Sequence, residues 1–486
     1  SWLFLTLYDF SVRFTFVDIG TRILAVFLVL VVINKWINPY YKLAWTFIIL
    51  LFPLLGSVLY AVFGRSQLTK STQERMDAVH KEVSAHLKVD TDAIAELVKE
   101  DPGVAQQSKY IHDWAQFPLY RNSKTKYYAC GEDMFVDMKE AMERAKQFIF
   151  LEYFIIDDGV MLREILDILG RKVKEGVTVR LIYDDVGSIK TLPKNFVKNL
   201  NAIGVESASF NPFRPILSII LNNRDHRKIL VVDGQVGFTG GINIADEYIN
   251  EKLRFGHWKD VGIKLAGDAV ERFTYMFLEL WNESGKQGEN YEKYVCPEDA
   301  SCPSDGYVIP YSVCPLGPER VGEKVYLEII NTAHTYVHIM TPYLIPDYQL
   351  LTALTYAAKR GVEVIIIMPH IPDKKYAFML AKTYYNQLLE AGVRICEYEP
   401  GFVHAKVFVS DDVKAVVGTV NLDYRSLYHH FECGAVLYRN SQIKVMERDV
   451  QDTLKKCIEM KAEDYKKLKL RERFLGRLMR VVAPLM

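Results

Sequence analysis

The sequence predicts an α/β protein of two pseudo-symmetric halves with mixed sheets, preceded by an N-terminal transmembrane helical hairpin. Three observations carry this expectation. The frame His226-Arg227-Lys228 with Asp233 returns 178 residues later as His404-Ala405-Lys406 with Asp411. The segments upstream of the two frames repeat one order of apolar runs and glycine turns. An uncharged apolar run, Leu43 to Phe63, precedes both.

From the N-terminus, residues 1–66 read as a membrane anchor. Leu43 to Phe63 is 21 residues long, enough to cross a hydrocarbon layer of about 30 Å, and Pro53 and Gly56 within it are tolerated in membrane helices. Ile23 to Ile33 is shorter and bounded by Arg22 and Lys35. It spans if those side chains snorkel or if Trp36 and Ile37 join it. Two spanning helices are expected here in preference to one span plus an interfacial helix. No small-residue cleavage site follows the first run, which argues against a removable signal peptide. The chain begins at Ser1 and not at Met, as expected of a sequence lacking its first residues. Arg13, Arg22, Arg65, Lys70 and Arg75 flank the hairpin, against Lys35 and Lys42 in its connecting loop. That bias predicts a cytoplasmic catalytic part.

Residues 67–125 read as a helical linker, with Met76, Val79, Val83 and Leu87 at three- and four-residue spacing. Phe148 to Asp158 then matches Val337 to Asp347 in pattern, Gly176-Val177-Thr178-Val179 matches Gly361-Val362-Glu363-Val364, and Gly204-Val205 matches Gly392-Val393. Each half, 126–285 and 319–450, is expected to run strand, helix, strand, helix, strand and then a hairpin carrying the motif. Between them, 286–318 is rich in Gly, Pro, Ser and Cys and predicts an irregular crossover. Pro215 to Leu221, just before His226, is apolar without alternation. It fits a buried strand or a segment dipping into the bilayer beside the site. In the C-terminal segment 451–486, Lys466 to Met486 holds seven Lys or Arg and one acid, Glu472, while Phe474, Leu475, Leu478, Met479 and Val482 share one helical face. That pattern points to a basic amphipathic helix on anionic lipid, with a solvated basic tail as the alternative.

The strand period of two puts His and Lys of each frame on one face, so both can address one ligand. Ile229 to Val232 should end at the turn pair Asp233-Gly234 and return as Gln235 to Thr239. Val407 to Val409 should end at Ser410-Asp411-Asp412 and return through Ala415 to Val417. Asp233 and Asp411 complete the two motifs among the catalytic candidates, but their place at turns suits holding the hairpins. After six intervening residues beyond each Asp, Gly240-Gly241-Ile242-Asn243 and Gly418-Thr419-Val420-Asn421 continue the match. An imidazole that carries protons near neutrality, a fixed cation and an amide donor together suit a phosphate.

Composition narrows the partners. Zero net charge and a pI near 7.1 argue against a nucleic-acid binder, which would carry a basic surplus. Seven scattered cysteines argue against a disulfide framework and place the catalytic part in a reducing compartment. Cys296 and Cys302 have no second pair or nearby His at zinc spacing, so no metal and no cofactor is expected.

The paired motifs resemble the phospholipase D superfamily, whose members build one active site from two such frames. Asp225-His226-Arg227-Lys228, Phe238 to Asn243, Asp246-Glu247-Tyr248, Gly418 to Ser426 and Phe431-Glu432 are similar to bacterial cardiolipin synthases, and the resemblance runs over essentially the whole chain. Ser410 before Asp411 and His430 before Phe431 depart from the common pattern. The resemblance implies two phospholipase D-like halves and a phosphatidyltransferase of the bacterial cell (inner) membrane acting on phosphatidylglycerol. It implies His226 as nucleophile and His404 as acid and base, although the near-symmetry of the motifs leaves that assignment open. Lys228, Lys406, Asn243 and Asn421 are expected to hold the phosphate oxygens, while Glu247 and Glu432 each orient a His of the opposite half. A membrane-bound phospholipase D releasing phosphatidic acid, or a transphosphatidylase with another alcohol, shares the same donor step. A nuclease would need a basic groove and no anchor, and a scaffold would not need both motifs. Anionic membrane lipids are the expected partners, with pairing of two copies also expected.

Overall fold

Runs such as Phe148-Ile149-Phe150-Leu151 and Val364-Ile365-Ile366-Ile367 are apolar at every position, as strands covered on both faces require. In the computed structural model, which describes residues 2–64, 74, 78–83, 86–87, 89–212, 223–284, 291–294, 303–317, 319–466 and 470–485, both runs lie buried within strands. The first sheet has the order Ser123–Tyr128, Gly262–Gly267, Val236–Gly240, Ile229–Val232, Phe148–Tyr153, Thr178–Asp184, Glu206–Phe210. The second repeats that plan as Tyr307–Val313, His430–Tyr438, Lys414–Gly418, Val407–Ser410, Tyr336–Met340, Glu363–Pro369, Arg394–Tyr398, and adds Cys457–Glu459 at its edge. In both, the strands joined through helices pair in parallel, and the motif hairpin adds antiparallel to Phe148–Tyr153 or to Tyr336–Met340. The mixed α/β plan in two halves is therefore as the sequence predicts.

Two short strands cross between the halves. Arg224–Asp225 pairs in parallel with His430 and Phe431, and Gly401–Val403 pairs in parallel with His257–Lys259. Each crossing strand immediately precedes a motif His.

Three expectations change. Within 286–318, expected to be irregular, Tyr307–Val313 is a strand of the second sheet, antiparallel to His430–Tyr438. Its Pro310 had obscured it, yet an edge strand tolerates a missing N–H. In the linker, Val83, Ala93 and Leu97 are fully buried in the same core as the sheets, so this stretch belongs to the catalytic body.

The third change concerns the anchor. Helix α1 runs Trp2–Ile33 and contains Thr15–Ile33, 19 residues long and apolar enough to cross a membrane. Leu43 to Phe63, however, is not one helix. It divides into α2, Pro39–Leu51, and α3, Pro53–Phe63. Pro53 supplies no N–H and pushes its predecessor out of the helical region, and Phe52 sits at φ −130°, ψ 78°. The two helices fold back antiparallel: Trp45 meets Tyr60 edge-on at 5.3 Å, and a Cβ on Gly56 would lie 2.4 Å from the Ile48 carbonyl oxygen. A 13-residue α2 is about 20 Å long, too short for a 30 Å crossing.

The loop between α1 and α2 also lies against the second half. The Asn38 side-chain amide donates to the Tyr428 hydroxyl at 3.0 Å. The loop thus packs on the second half, a contact that the expected two-span hairpin does not include. The C-terminal helix Leu470–Val482 packs on Lys375–Glu390 through Arg480 over Tyr384 at 4.1 Å, and leaves Phe474, Leu475 and Leu478 exposed. Pro215 to Leu221, Arg65, Lys70, Arg75, Met76, Cys296 and Cys302 lie outside the described residues.

Candidate active site

Each motif Lys stands immediately before a short, wholly buried strand, Ile229–Val232 or Val407–Ser410, so neither ammonium can reach bulk water. Lys228 and Lys406 are each 1% exposed, and each Nζ donates to the carbonyl oxygen of its own motif His. Neither makes an ion pair with a carboxylate among the described residues. Burial lowers Lys228 to about 8 and Lys406 to about 7, against the pull of Glu432 and Asp260 respectively. Two buried ammonium groups with no carboxylate partner form a site for an external anion.

The two imidazoles share this site. His226 is held far below the usual imidazole range by burial and then by Lys228, His430, Lys406 and His404. His404 is lowered to about 4 by burial and Lys406, with Asp260 opposing. Residues of both halves therefore act on each ring. His226 Nδ1 lies 2.9 Å from Glu432 Oε2, and His404 Nδ1 lies 2.7 Å from Asp260 Oδ2. The backbone is matched as well. His226 N–H donates to the Phe431 carbonyl at 2.9 Å, and His404 N–H to the Lys259 carbonyl at 2.7 Å. The crossing strands set these contacts, since their register places each His beside the residue before the other half's acid. With Nδ1 occupied, only Nε2 of each ring is left to react.

One sequence expectation is corrected here. Glu247 does not orient His404. It sits on the short turn Asp246–Ile249, and its Oε1 accepts from Arg254 Nη1 at 2.8 Å. Asp260 orients His404 instead, because the strand His257–Lys259, and not the turn after Asn243, lies beside Gly401–Val403. The repeat contains the signal: Asp260-Val261-Gly262 stands in the first half as Glu432-Cys433-Gly434 stands in the second. The two acids differ in how readily they ionise. Burial raises both, but His404 and Lys406 hold Asp260 below the usual carboxylate range, whereas Glu432 remains well above it despite Lys228. Thr419 Oγ1 also donates to Glu432 Oε2.

The motif aspartates are structural. Asp233 accepts from the N–H groups of Lys146, Gln147 and Phe148 at 2.7 to 2.8 Å, and Asp411 from those of His334, Thr335 and Tyr336 at 2.8 to 2.9 Å. Both adopt left-handed backbone, φ 53° and 55°, which Asp tolerates in tight turns. They anchor the start of the neighbouring strand and leave the reacting groups alone. Asp233→Ala is expected to cost about 3 kcal/mol of folding stability, since three N–H groups lose a charged acceptor. Denaturant unfolding measures it.

Asn243 is largely committed to structure. Its Oδ1 accepts from Ile155 N–H at 3.0 Å and its Nδ2 donates to Tyr248 Oη at 2.7 Å, so one amide hydrogen is left for a ligand. Asn421 is buried and its Oδ1 has no partner. Aromatic rings wall the imidazoles: Phe154 stands 4.9 Å from His226, Trp258 5.4 Å and Tyr248 5.5 Å from His404. His430, the residue that departs from the expected pattern, lies 5.5 Å from His226, ring to ring.

The chain matches the family model "Cardiolipin synthase, PLD-like domain" twice, over residues 138–261 and 326–454, and "Phospholipase_D-nuclease N-terminal" over 23–65. It is 33% identical over 468 residues to a cardiolipin synthase of Halalkalibacterium halodurans, covering 96% of this chain and 92% of that one. It is 44% identical to an uncharacterized protein of Streptococcus mutans, covering 94% and 99%. In fold it is similar to the phosphatidylserine synthase of Haemophilus influenzae, with a TM-score of 0.58 at 14% identity over 78% of this chain and 98% of the other. Both repeats of the domain model carry a His-x-Lys frame, and the lysines of both frames act on both motif imidazoles. The chain belongs to the cardiolipin synthase family of the phospholipase D superfamily and is a phosphatidyltransferase that associates with membranes.

Proposed function

We propose that the enzyme transfers the phosphatidyl group of one phosphatidylglycerol to a glycerol hydroxyl of a second, giving cardiolipin and glycerol. The observation that carries this reading is the pair of imidazoles, each with Nδ1 taken by an acid of the other half and each acted on by both buried motif lysines.

A phosphodiester repels an incoming nucleophile, so two steps through a covalent intermediate lower the barrier. His226 Nε2 attacks phosphorus, and the bond from phosphorus to the glycerol oxygen breaks. His404, protonated at Nε2, gives that oxygen its proton. In the second step neutral His404 takes the proton of the incoming hydroxyl. The new oxygen–phosphorus bond forms as the nitrogen–phosphorus bond breaks. Lys228, Lys406 and the amide of Asn421 hold the non-bridging oxygens as charge develops. Asp260, held ionised, favours an imidazolium at His404. Glu432, raised well above its ordinary value, favours a neutral nucleophile at His226. The low value of His404 rises when a phosphodiester anion binds beside it.

Incubation with phosphatidylglycerol vesicles in chelator is expected to yield a four-chain lipid plus glycerol. Phosphatidic acid in its place would make the protein a hydrolase, and a mixed product with an added alcohol a broader transphosphatidylase. The lysines set the pH dependence. A depressed ammonium loses its charge as pH rises, so kcat/KM is expected to fall as pH passes about 7 and then about 8, mainly through KM; initial rates across pH measure it.

The catalytic part faces the cytoplasm, with α1 crossing the membrane and the α2 and α3 pair entering and leaving on the catalytic side. Labelling of a single cysteine placed at Phe52 by a membrane-impermeant reagent is expected to fail from both faces. Labelling from the outer face would restore a second crossing.

A further inference from the structure

His430 offers the site something the transfer chemistry leaves unused. The ring is 7% exposed, and neither of its nitrogens has a hydrogen-bond partner. Next to it, Glu432 Oε1 is also buried without one, 3.6 Å from His430 Nδ1. On the other oxygen of the same carboxylate stands His226 Nδ1, at 2.9 Å. Ligand atoms of His226, His430 and Glu432 all lie within 4.8 Å of one another. Buried polar atoms normally find partners, and this set is dominated by lone pairs: a carboxylate oxygen and two imidazoles. Lone pairs converging from three side chains of two halves call for a cation or for water.

We propose that His226, His430 and Glu432 form a binding site for a divalent transition-metal ion that shuts the enzyme off. Two imidazoles and one carboxylate make a donor set suited to zinc, cobalt or nickel and poorly suited to magnesium or calcium, which prefer all-oxygen shells. Among the described residues the other half offers no counterpart: Trp258 stands toward His404 and Asp260 as His430 stands toward His226 and Glu432, and an indole N–H cannot ligate a metal. The asymmetry confines the site to one of the two histidines. A bound ion draws Glu432 away from its hydrogen bond to His226 and withdraws electron density from that ring, which weakens it as a nucleophile. Zinc in the medium then competes with catalysis without occupying the phosphate position.

The consequence for turnover rests on His226 as the nucleophile, but the binding does not, and the test separates them. Chelator-stripped full-length protein in phosphatidylcholine vesicles is titrated with Co²⁺ and followed by its visible absorption, then assayed with Zn²⁺ on phosphatidylglycerol. Expected are cobalt bands of a low-coordinate site that vanish in His430→Asn and in His226→Ala. Zinc inhibition reversed by chelator is also expected, with the half-inhibitory concentration raised by about tenfold or more in His430→Asn and in His430→Phe relative to each variant's own metal-free rate. Cobalt bands unchanged by either substitution, or zinc sensitivity of both His430 variants equal to that of the unaltered protein, would overturn the site and leave water as the occupant. Cobalt binding at these residues in a protein without lipid transfer would uphold the site and sink the proposed function instead.

Discussion

Replacement of His226 or His404 by Ala is expected to lower phosphatidyl transfer by at least about 10⁴-fold, with the double variant no worse than either single one, because both groups serve one two-step route. The two variants should differ in where they stop. A phosphodiester with a phenol leaving group needs no proton to depart, so His404→Ala should still load His226 with phosphorus. His226→Ala should not. Acid-labile phosphorus on the protein, measured after a brief incubation and quench, reads this directly. Loading in His226→Ala but not in His404→Ala would exchange the two roles. Loading in neither would remove the covalent intermediate.

Asp260→Ala is expected to lower kcat by about 10²-fold or more, because His404 then loses both the tautomer that turns Nε2 to the site and the charge that stabilises its protonated form. Asp260→Asn should do nearly as badly. An amide oxygen can hold the ring, but it supplies no negative charge. The contrast is Glu247→Gln, which should leave kcat within about threefold and cost less than about 1 kcal/mol of stability, since its partner Arg254 is 53% exposed and such pairs are worth little. Steady-state kinetics on the three variants decide between the acid on the strand and the acid on the turn. Equal losses in Glu247→Gln and Asp260→Asn would mean that Glu247 moves to His404 when lipid enters.

What the sequence determined by itself is what repeats or alternates. The two His-x-Lys frames, their hairpins and the strand and helix order of each half were legible because strand period, glycine turns and apolar runs are local properties, and the chain states them twice. Asp233 and Asp411 were legible as turn residues for the same reason. The tertiary structure alone decided which groups meet across the halves. Asp260 reaches His404 only because Gly401–Val403 leaves its own sheet to pair with His257–Lys259, a contact between residues 144 positions apart that no local pattern contains. Glu432 reaches His226 by the matching exchange, 206 positions apart. The anchor shows the converse limit. Hydropathy measures how apolar Leu43 to Phe63 is, but not its path, and the return of α3 onto α2 depends on Pro53 breaking the helix where Trp45 and Tyr60 can pack. Composition tells which segments leave water; only the packing of distant strands and rings tells where they go.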